Sequence, residues 1–457
     1  AHATAENGKT IYAYGGDHGE EIHDGNFCMD GLVYPDRTVH TGLLEYKNVY
    51  RPVRVVSYDK ESGELVLHNY MDFDDLKDYV KISYELTQDG LVISKDILSE
   101  FSVVPHGEGK TNLKISVPEN GKCYLKLIYH LKKELPLLDE DHILGFDEIE
   151  VSKDDAKCKL AEKWMQKTAT DSELQVNEDD TQIHIKGREF AYTIDRRTAL
   201  FTEMKFAGRE YLNHPMELNI WRAPTDNDMY IKAEWKKAHY DKAYTRAYTT
   251  EVVQGKHGVK IVSHASVVAE TVQKILDVTI TWKIDASGKI DADIEATKDG
   301  EFPDLPRFGV RMFLDKKLAD IRYFGMGPQE SYRDKHQAAS HGLYRANVGD
   351  LHEDYIRPQE NGSHYDCEYV ELNNSRYGIV ASAEKAFSFN ASYYTQEELE
   401  KKTHNYELIE SDSVVFCVDY ALNGIGSNSC GPVVLEQYRF DDVLFRFQFT
   451  LVPYVKG

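Results

Sequence analysis

From about Tyr50 onward the chain alternates apolar and polar positions in short runs bounded by turn residues, the pattern of strands with one buried face. The first such runs are Val53-Arg-Val-Val-Ser, Leu65-Val-Leu-His, Val80-Lys-Ile-Ser-Tyr, Leu91-Val-Ile, Leu113-Lys-Ile-Ser-Val and Cys123-Tyr-Leu-Lys-Leu-Ile-Tyr. Glu61-Ser-Gly and Glu119-Asn-Gly supply turns between them. About seven short strands in roughly 100 residues predict an immunoglobulin-like β-sandwich, spanning residues 46–152. Residues 153–172 are charged and helix-leaning, and read as a linker. Strands then resume and run to the end, from Ile183-His-Ile and Phe190-Ala-Tyr-Thr-Ile to Val414-Val-Phe-Cys-Val and Phe445-Arg-Phe-Gln-Phe, with one helix expected around residues 231–240. A nearly all-β segment over residues 173–457 fits one large sandwich, because β domains exceed the usual domain size.

Residues 1–45 differ. Ile11 to Tyr14 reads as a lone strand with nothing upstream to pair with it, followed by an acidic loop from Asp17 to Asp30. A short helix from Thr38 would place Val39, Leu43 and Leu44 on an apolar face. This has the shape of a final βα unit, so the chain is expected to start inside a domain.

Composition narrows the partners. A formal net charge of -23 argues against nucleic acid and anionic membrane surfaces, which would repel it. No run approaches the roughly 18 apolar residues of a membrane-spanning helix, and the first nine residues lack the apolar core of a signal peptide. The six cysteines are scattered without a CxxC pair, which disfavours a zinc ribbon or a disulfide framework and points to a reducing cytoplasm. Three matches to the glycosylation sequon, at Asn361, Asn373 and Asn390, then read as chance.

Four segments carry a family resemblance. Tyr14-Gly-Gly-Asp-His-Gly, running on to Asn26-Phe-Cys-Met-Asp-Gly-Leu-Val-Tyr-Pro-Asp-Arg, resembles the end of the catalytic barrel in β-galactosidases of glycoside hydrolase family 2. Trp221-Arg-Ala-Pro-Thr-Asp-Asn-Asp228 is similar to the signature of that family's C-terminal domain. Gly325-Met-Gly-Pro-Gln-Glu-Ser-Tyr332 with Pro358-Gln-Glu-Asn-Gly362, and Gly424-Ile-Gly426 followed by Cys430-Gly-Pro, complete the set. Each alone is weak; four in this order over nearly the whole chain are specific. The resemblance implies a mainly β chain: the tail of a (β/α)8 barrel, an immunoglobulin-like sandwich, then a β-supersandwich.

It also implies chemistry. The family hydrolyses terminal β-D-galactosides such as lactose with retention, which needs two carboxyl groups roughly 5 Å apart. Both are glutamates that precede the Gly-Gly-Asp segment, so neither is expected in this chain, which should be inactive alone. The family's magnesium site is likewise expected upstream. Phe27, through its carbonyl, and Asp30 correspond to sodium ligands beside the galactose 6-hydroxyl, and oxygen donors suit a hard cation. Asp30 equally reads as a turn residue before Gly31. His18 and His23, among acidic neighbours, match no compact zinc spacing and read as a solvated loop.

A mobile active-site loop follows the second motif in the family, placing Asp228, Met229 and Tyr230 at its start. Tyr230 replaces a flexible glycine, which would stiffen the hinge. Arg222 paired with Asp226 or Asp228 as a buried structural network is the competing reading. Val415 falls where some members stack a tryptophan on the sugar, and a valine gives no such platform; Phe416 or Tyr420 are substitutes if the register slips. Two alternatives stay open. A non-catalytic carbohydrate-binding module shares the β-sandwich and the aromatic content, and a mutarotase-like isomerase would need a His and a Glu, for which His341, His364, Glu330 and Glu360 are candidates. A homo-oligomer stays open as well.

Overall fold

The computed structural model describes residues 2–29, 31–167, 174–271 and 274–456. The protein is mainly β, and its strands sort into sheets by the alternation read above. A three-stranded sheet (Val53–Tyr58, Glu64–Asn69, Glu108–Asn112) faces a four-stranded one (Val80–Gln88, Leu91–Ile97, Cys123–Leu131, Ile143–Glu150). Their inward residues, among them Val53, Leu65, Leu67, Leu86, Leu125 and Leu127, form one core with Tyr129 at its centre. This is the immunoglobulin-like sandwich. Strand placement differs at two points: Ile143–Glu150, not among the expected runs, is a strand, and the polar run Glu108–Asn112 is a strand where Leu113-Lys-Ile-Ser-Val is not. Pairing rather than apolar content decides the latter, since residues 108–112 meet Glu64–Asn69 in antiparallel register.

The larger sandwich is built on a 12-stranded sheet whose main path runs from Leu212–Asn219 through Arg307–Asp315, Ser413–Leu422, Tyr377–Ser392 and Leu444–Val455 to Ile290–Lys298 and the hairpins before it. A five-stranded sheet, including Phe190–Asp195 and Leu200–Phe206, packs on it. One continuous core joins them, with Trp282 wedged edge-on between Phe201 and Phe449. The indole N–H of Trp282 donates to the Ala199 carbonyl at 2.8 Å, so even this fully buried ring has its polar atom satisfied.

Several expectations are corrected. The N-terminal strand, Thr10–Tyr12, is not alone: it pairs with His2–Thr4. The missed signal is Asn7-Gly8, where Gly8 takes φ 80°, a value a glycine supplies at little cost. The helix begins at Thr41 rather than Thr38, with His40 as its N-cap. Its buried residues are polar, Thr41 and Asn48, and Val39 is half exposed. The helix is therefore held by hydrogen bonds, Asn48 Nδ2 to the Gln337 carbonyl at 2.9 Å and Thr41 Oγ1 to Glu330 Oε1 at 3.2 Å. Within residues 153–172, read as a linker, the helix Lys159–Met165 packs Cys158 and Ala161 under Phe324, Tyr369 and Val380. Residues 168–173 lie outside the described residues. The helix expected over 231–240 is Ile231–Lys237, followed by a 3-10 turn Tyr240–Lys242.

The two sandwiches are also pinned by charge. His341 Nδ1 bonds Glu148 Oε1 at 2.7 Å and its Nε2 bonds Asp366 Oδ2 at 3.0 Å, while its ring stacks on Tyr124 at 4.1 Å. Burial pushes the imidazole pKa down, but hydrogen bonds that the ring donates to Asp366 and Glu148 outweigh that and raise it to about 9.

Candidate active-site cleft

The four motif segments, dispersed through more than 400 residues, converge on one cleft of about 1480 Å³. Phe27, Asp226, Gln359, Glu360, Ile425 and Cys430 represent the segments that line it. Phe27 sits on the 3-10 helix Gly25–Met29 and is 54% exposed, so its ring is not core. Asp30, the other expected sugar and ion residue, lies outside the described residues.

Polar contacts lock the cleft wall. Asn26, next to Phe27, donates through Nδ2 to Asp226 Oδ2 at 2.9 Å and accepts from Arg357 Nη1 at 3.0 Å. Asp226 also accepts from Gln359 Nε2 at 3.1 Å, and its N–H donates to Gln359 Oε1 at 3.0 Å. Segments from three motifs thus meet in one hydrogen-bonded clamp. The roles of Asn26 and Arg357 were not legible in the residues: Asn26 lies in the first motif without a chemistry of its own there, and Arg357 lies just outside the third. Further back, the Asp17 carboxylate bonds His404 Nε2 at 2.8 Å and Tyr14 stacks on the same imidazole at 4.4 Å, tying the acidic loop to the large sandwich.

Asp228 is not a cleft residue. It is 3% exposed, and its carboxylate accepts from the Thr225 backbone N–H at 2.8 Å and from Arg222 Nη2 at 2.7 Å. Arg222 is fully buried and also donates to the Asn423 and Gly424 carbonyls, so this pair fastens the second motif to the fourth. Met229 and Tyr230 follow at once, 51% and 60% exposed, and both line the cleft. Gly424 is a glycine for a steric reason. A Cβ there would meet Asp334 Oδ2 at 2.7 Å, and that carboxylate accepts the N–H groups of Ile425 and Gly426 at 3.1 and 2.8 Å.

Val415 does not face the cleft. It is 0% exposed within Ser413–Leu422, paired with Phe313 on one side and Ser392 on the other. Its alternates do not replace it: Phe416 is core, and Tyr420 stacks on Phe445 at 5.0 Å away from the cleft. From the fourth motif, Ile425, Gly426 and Cys430 reach the cleft instead. Of the four residues considered for an isomerase, His341, His364 and Glu330 do not line the cleft, and Glu360, which does, is held against an arginine. His341 holds the sandwich interface, and His364 is buried with Nδ1 on the Met326 carbonyl at 3.2 Å, burial pushing its pKa to about 4. Glu330 is paired with Lys335 at 2.5 Å, and Glu360 faces Arg307 at 3.5 Å. Burial raises the Glu360 carboxyl above the ordinary range, against the charges of Arg307 and Arg222.

Among the described residues, no group of three or more His, Cys, Asp or Glu side chains could hold a metal ion, so His18 and His23 form none. All six cysteines are free. No described helix is long and apolar enough to cross a membrane.

The family model described as "Beta galactosidase small chain" matches residues 186–451, more than half of the chain. The chain belongs to that β-galactosidase family. Two further models match in order, "Glycosyl hydrolases family 2, TIM barrel domain" over residues 1–55 and "Beta-galactosidase, domain 4" over residues 65–152. The β-galactosidase of Actinobacillus pleuropneumoniae is 44% identical over 96% of this chain and 43% of its own length. That of Staphylococcus xylosus is 32% identical over 98% of this chain and 44% of its own. The chain spans less than half the length of these curated relatives. A solved galactose 1-epimerase from Lactobacillus acidophilus NCFM aligns over 64% of this chain and 100% of its own at 8% identity and a TM-score of 0.33, a level that carries no argument.

Proposed function

We propose that the chain supplies one wall of the sugar site in a retaining β-galactosidase acting on terminal β-D-galactosides such as lactose. Its nucleophile and acid/base glutamates would come from a segment outside this sequence. The observation that carries this reading is the convergence of four family motifs on one cleft, with Phe27, Met229 and Tyr230 exposed at its lining. Aromatic faces of this kind suit the C–H faces of a sugar ring. In the reaction one carboxyl group attacks the anomeric carbon while the other protonates the leaving oxygen; the residues of this chain would orient the galactose and keep it dry.

Two ions belong to the proposal. Phe27, through its carbonyl, and Asp30 would give oxygen donors to sodium, the donor type a hard cation prefers, with the remaining ligands from outside this sequence. Magnesium would bind entirely outside it. A cytoplasmic setting fits the free thiols.

The test is a chimera in which this chain replaces the matching C-terminal part of the Actinobacillus pleuropneumoniae β-galactosidase. The expected result is release of nitrophenol from nitrophenyl β-galactoside by the chimera, none by this chain alone, and at least about a tenfold lower kcat/KM in Phe27→Ala. A folded chimera without turnover, or turnover by the pure chain alone, overturns the reading.

A further inference from the structure

The strand Tyr377–Ser392 changes partner along its length. Tyr377 to Ser382 pair with Leu444–Val455, whereas Ser388 to Ser392 pair with Ser413–Leu422. The sheet therefore splits where that strand crosses over, and the ends of the two flanking strands part. A cavity of about 210 Å³ opens in the split, lined by Ala386 to Ser388 at the crossing, by Tyr420 to Leu422 on one lip and by Asp442 on the other. Backbone at such a point has left its ladder, and its polar groups need other partners.

The walls combine two chemistries. Tyr365, Phe387 and Tyr420 are aromatic, and Arg333, Ser388 and Asp442 are polar. Arg333 is positioned by one bond, Nη1 to the Arg439 carbonyl at 2.9 Å, which leaves the rest of its planar fork for other acceptors. Tyr365, Tyr420 and Asp442 line the same cavity as Arg333, and its charge opposes in each the upward pKa shift that burial causes. Arg333 and Asp442 both line the cavity, and among the described side chains neither is held in a salt bridge. The neighbouring Asp366 already spends one oxygen on His341 at 3.0 Å.

We propose that this cavity binds a single neutral pyranose ring. Hydroxyl groups that both donate and accept match a guanidinium, a carboxylate and a serine hydroxyl, and the C–H faces of the ring match the aromatic walls. The cavity is smaller than the roughly 300–1,000 Å³ of drug-sized sites, which fits one ring rather than a disaccharide. The site is distinct from the cleft yet shares a wall with it. Tyr332 and Arg333 line the cavity, the next two residues, Asp334 and Lys335, line the cleft, and backbone bonds of 2.8 and 3.1 Å close the turn between Tyr332 and Lys335. Binding at this cavity needs no hydrolysis by any larger assembly.

The experiment is titration of the full chain with methyl α-glucopyranoside, methyl β-galactopyranoside and glycine, read by saturation-transfer NMR, with circular dichroism as the check on folding. Saturable binding of the pyranosides is expected. Arg333→Ala and Asp442→Asn, both at the cavity rim, should each weaken it about tenfold, the size of a lost charge-assisted hydrogen bond. Tyr230→Ala in the cleft should leave the α-glucoside affinity within about twofold. The proposal is overturned by the absence of saturable pyranoside binding, by binding that follows Tyr230→Ala instead of Asp442→Asn, or by tighter binding of the zwitterion glycine.

Discussion

Asn26 and Asp226, 200 positions apart, are joined by a hydrogen bond of 2.9 Å from the amide of the first to the carboxylate of the second. The bond brings the barrel-like start of the chain against the large sandwich, and Phe27 sits on the next residue. Because Arg357 binds the same amide at 3.0 Å and Gln359 binds Asp226 at 3.1 Å, the position of Phe27 depends on three separate stretches of the chain.

Removing that amide should loosen the wall without unfolding it. In the chimera described above, Asn26→Ala is expected to raise KM at least about tenfold, corresponding to roughly 1.5 kcal/mol for a lost hydrogen bond to a charged group. Steady-state kinetics together with a thermal melt check this. An unchanged KM, or a large fall in Tm, would show that Asn26 does not position Phe27.

Asp228 predicts the opposite balance. Its partner Arg222 is fully buried, so Asp228→Ala leaves a guanidinium without its counter-charge, at a cost of about 3–5 kcal/mol. Urea denaturation of the chain measures this directly. The double variant Arg222→Met with Asp228→Ala should recover a substantial part of the loss, since the uncompensated charge is gone.

The His341 clamp makes stability depend on pH. A histidine whose folded pKa is raised stabilises most below its ordinary value of about 6.5, and that contribution is lost as pH climbs through the folded value, here about 9. Unfolding free energy is therefore expected to fall between about pH 6.5 and 9, by on the order of 3 kcal/mol at most, and the melting temperature to fall with it. His341→Gln should be less stable at pH 6 and should converge on the parent chain near pH 9. Parallel slopes for the two proteins would rule out the charged clamp.

Val415 separates core from sugar platform. With no exposed surface, Val415→Ala should cost roughly 2 kcal/mol of stability through lost packing. The KM of the folded chimera should stay the same. A raised KM with unchanged stability would return the residue to the sugar site.

Local pattern carried a long way here. Alternation marked most strands because a half-buried strand has to segregate its faces, and Cys123–Leu131 reads directly as inward and outward residues. It missed the hairpin at Asn7-Gly8 and the strand Glu108–Asn112 because both are set by pairing rather than by apolar content. The helix Thr41–Val49 was misjudged for a related reason: its buried contacts are hydrogen bonds to residues near 330–337, far along the chain.

For the site, the sequence by itself determined the family and the four motifs, since these are local runs whose residue order is their meaning. Which motif residues reach the cleft was decided only in three dimensions. Asp228 and Val415 turn inward, to an arginine and to a sheet core, while Met229, Tyr230 and Cys430 turn to the opening. Asn26 and Arg357 acquire a role only because folding brings them within 3.0 Å of each other. The physical reason is that a side chain's direction and partners follow from sheet register and from the packing of distant segments, and neither is written in a run of neighbouring residues.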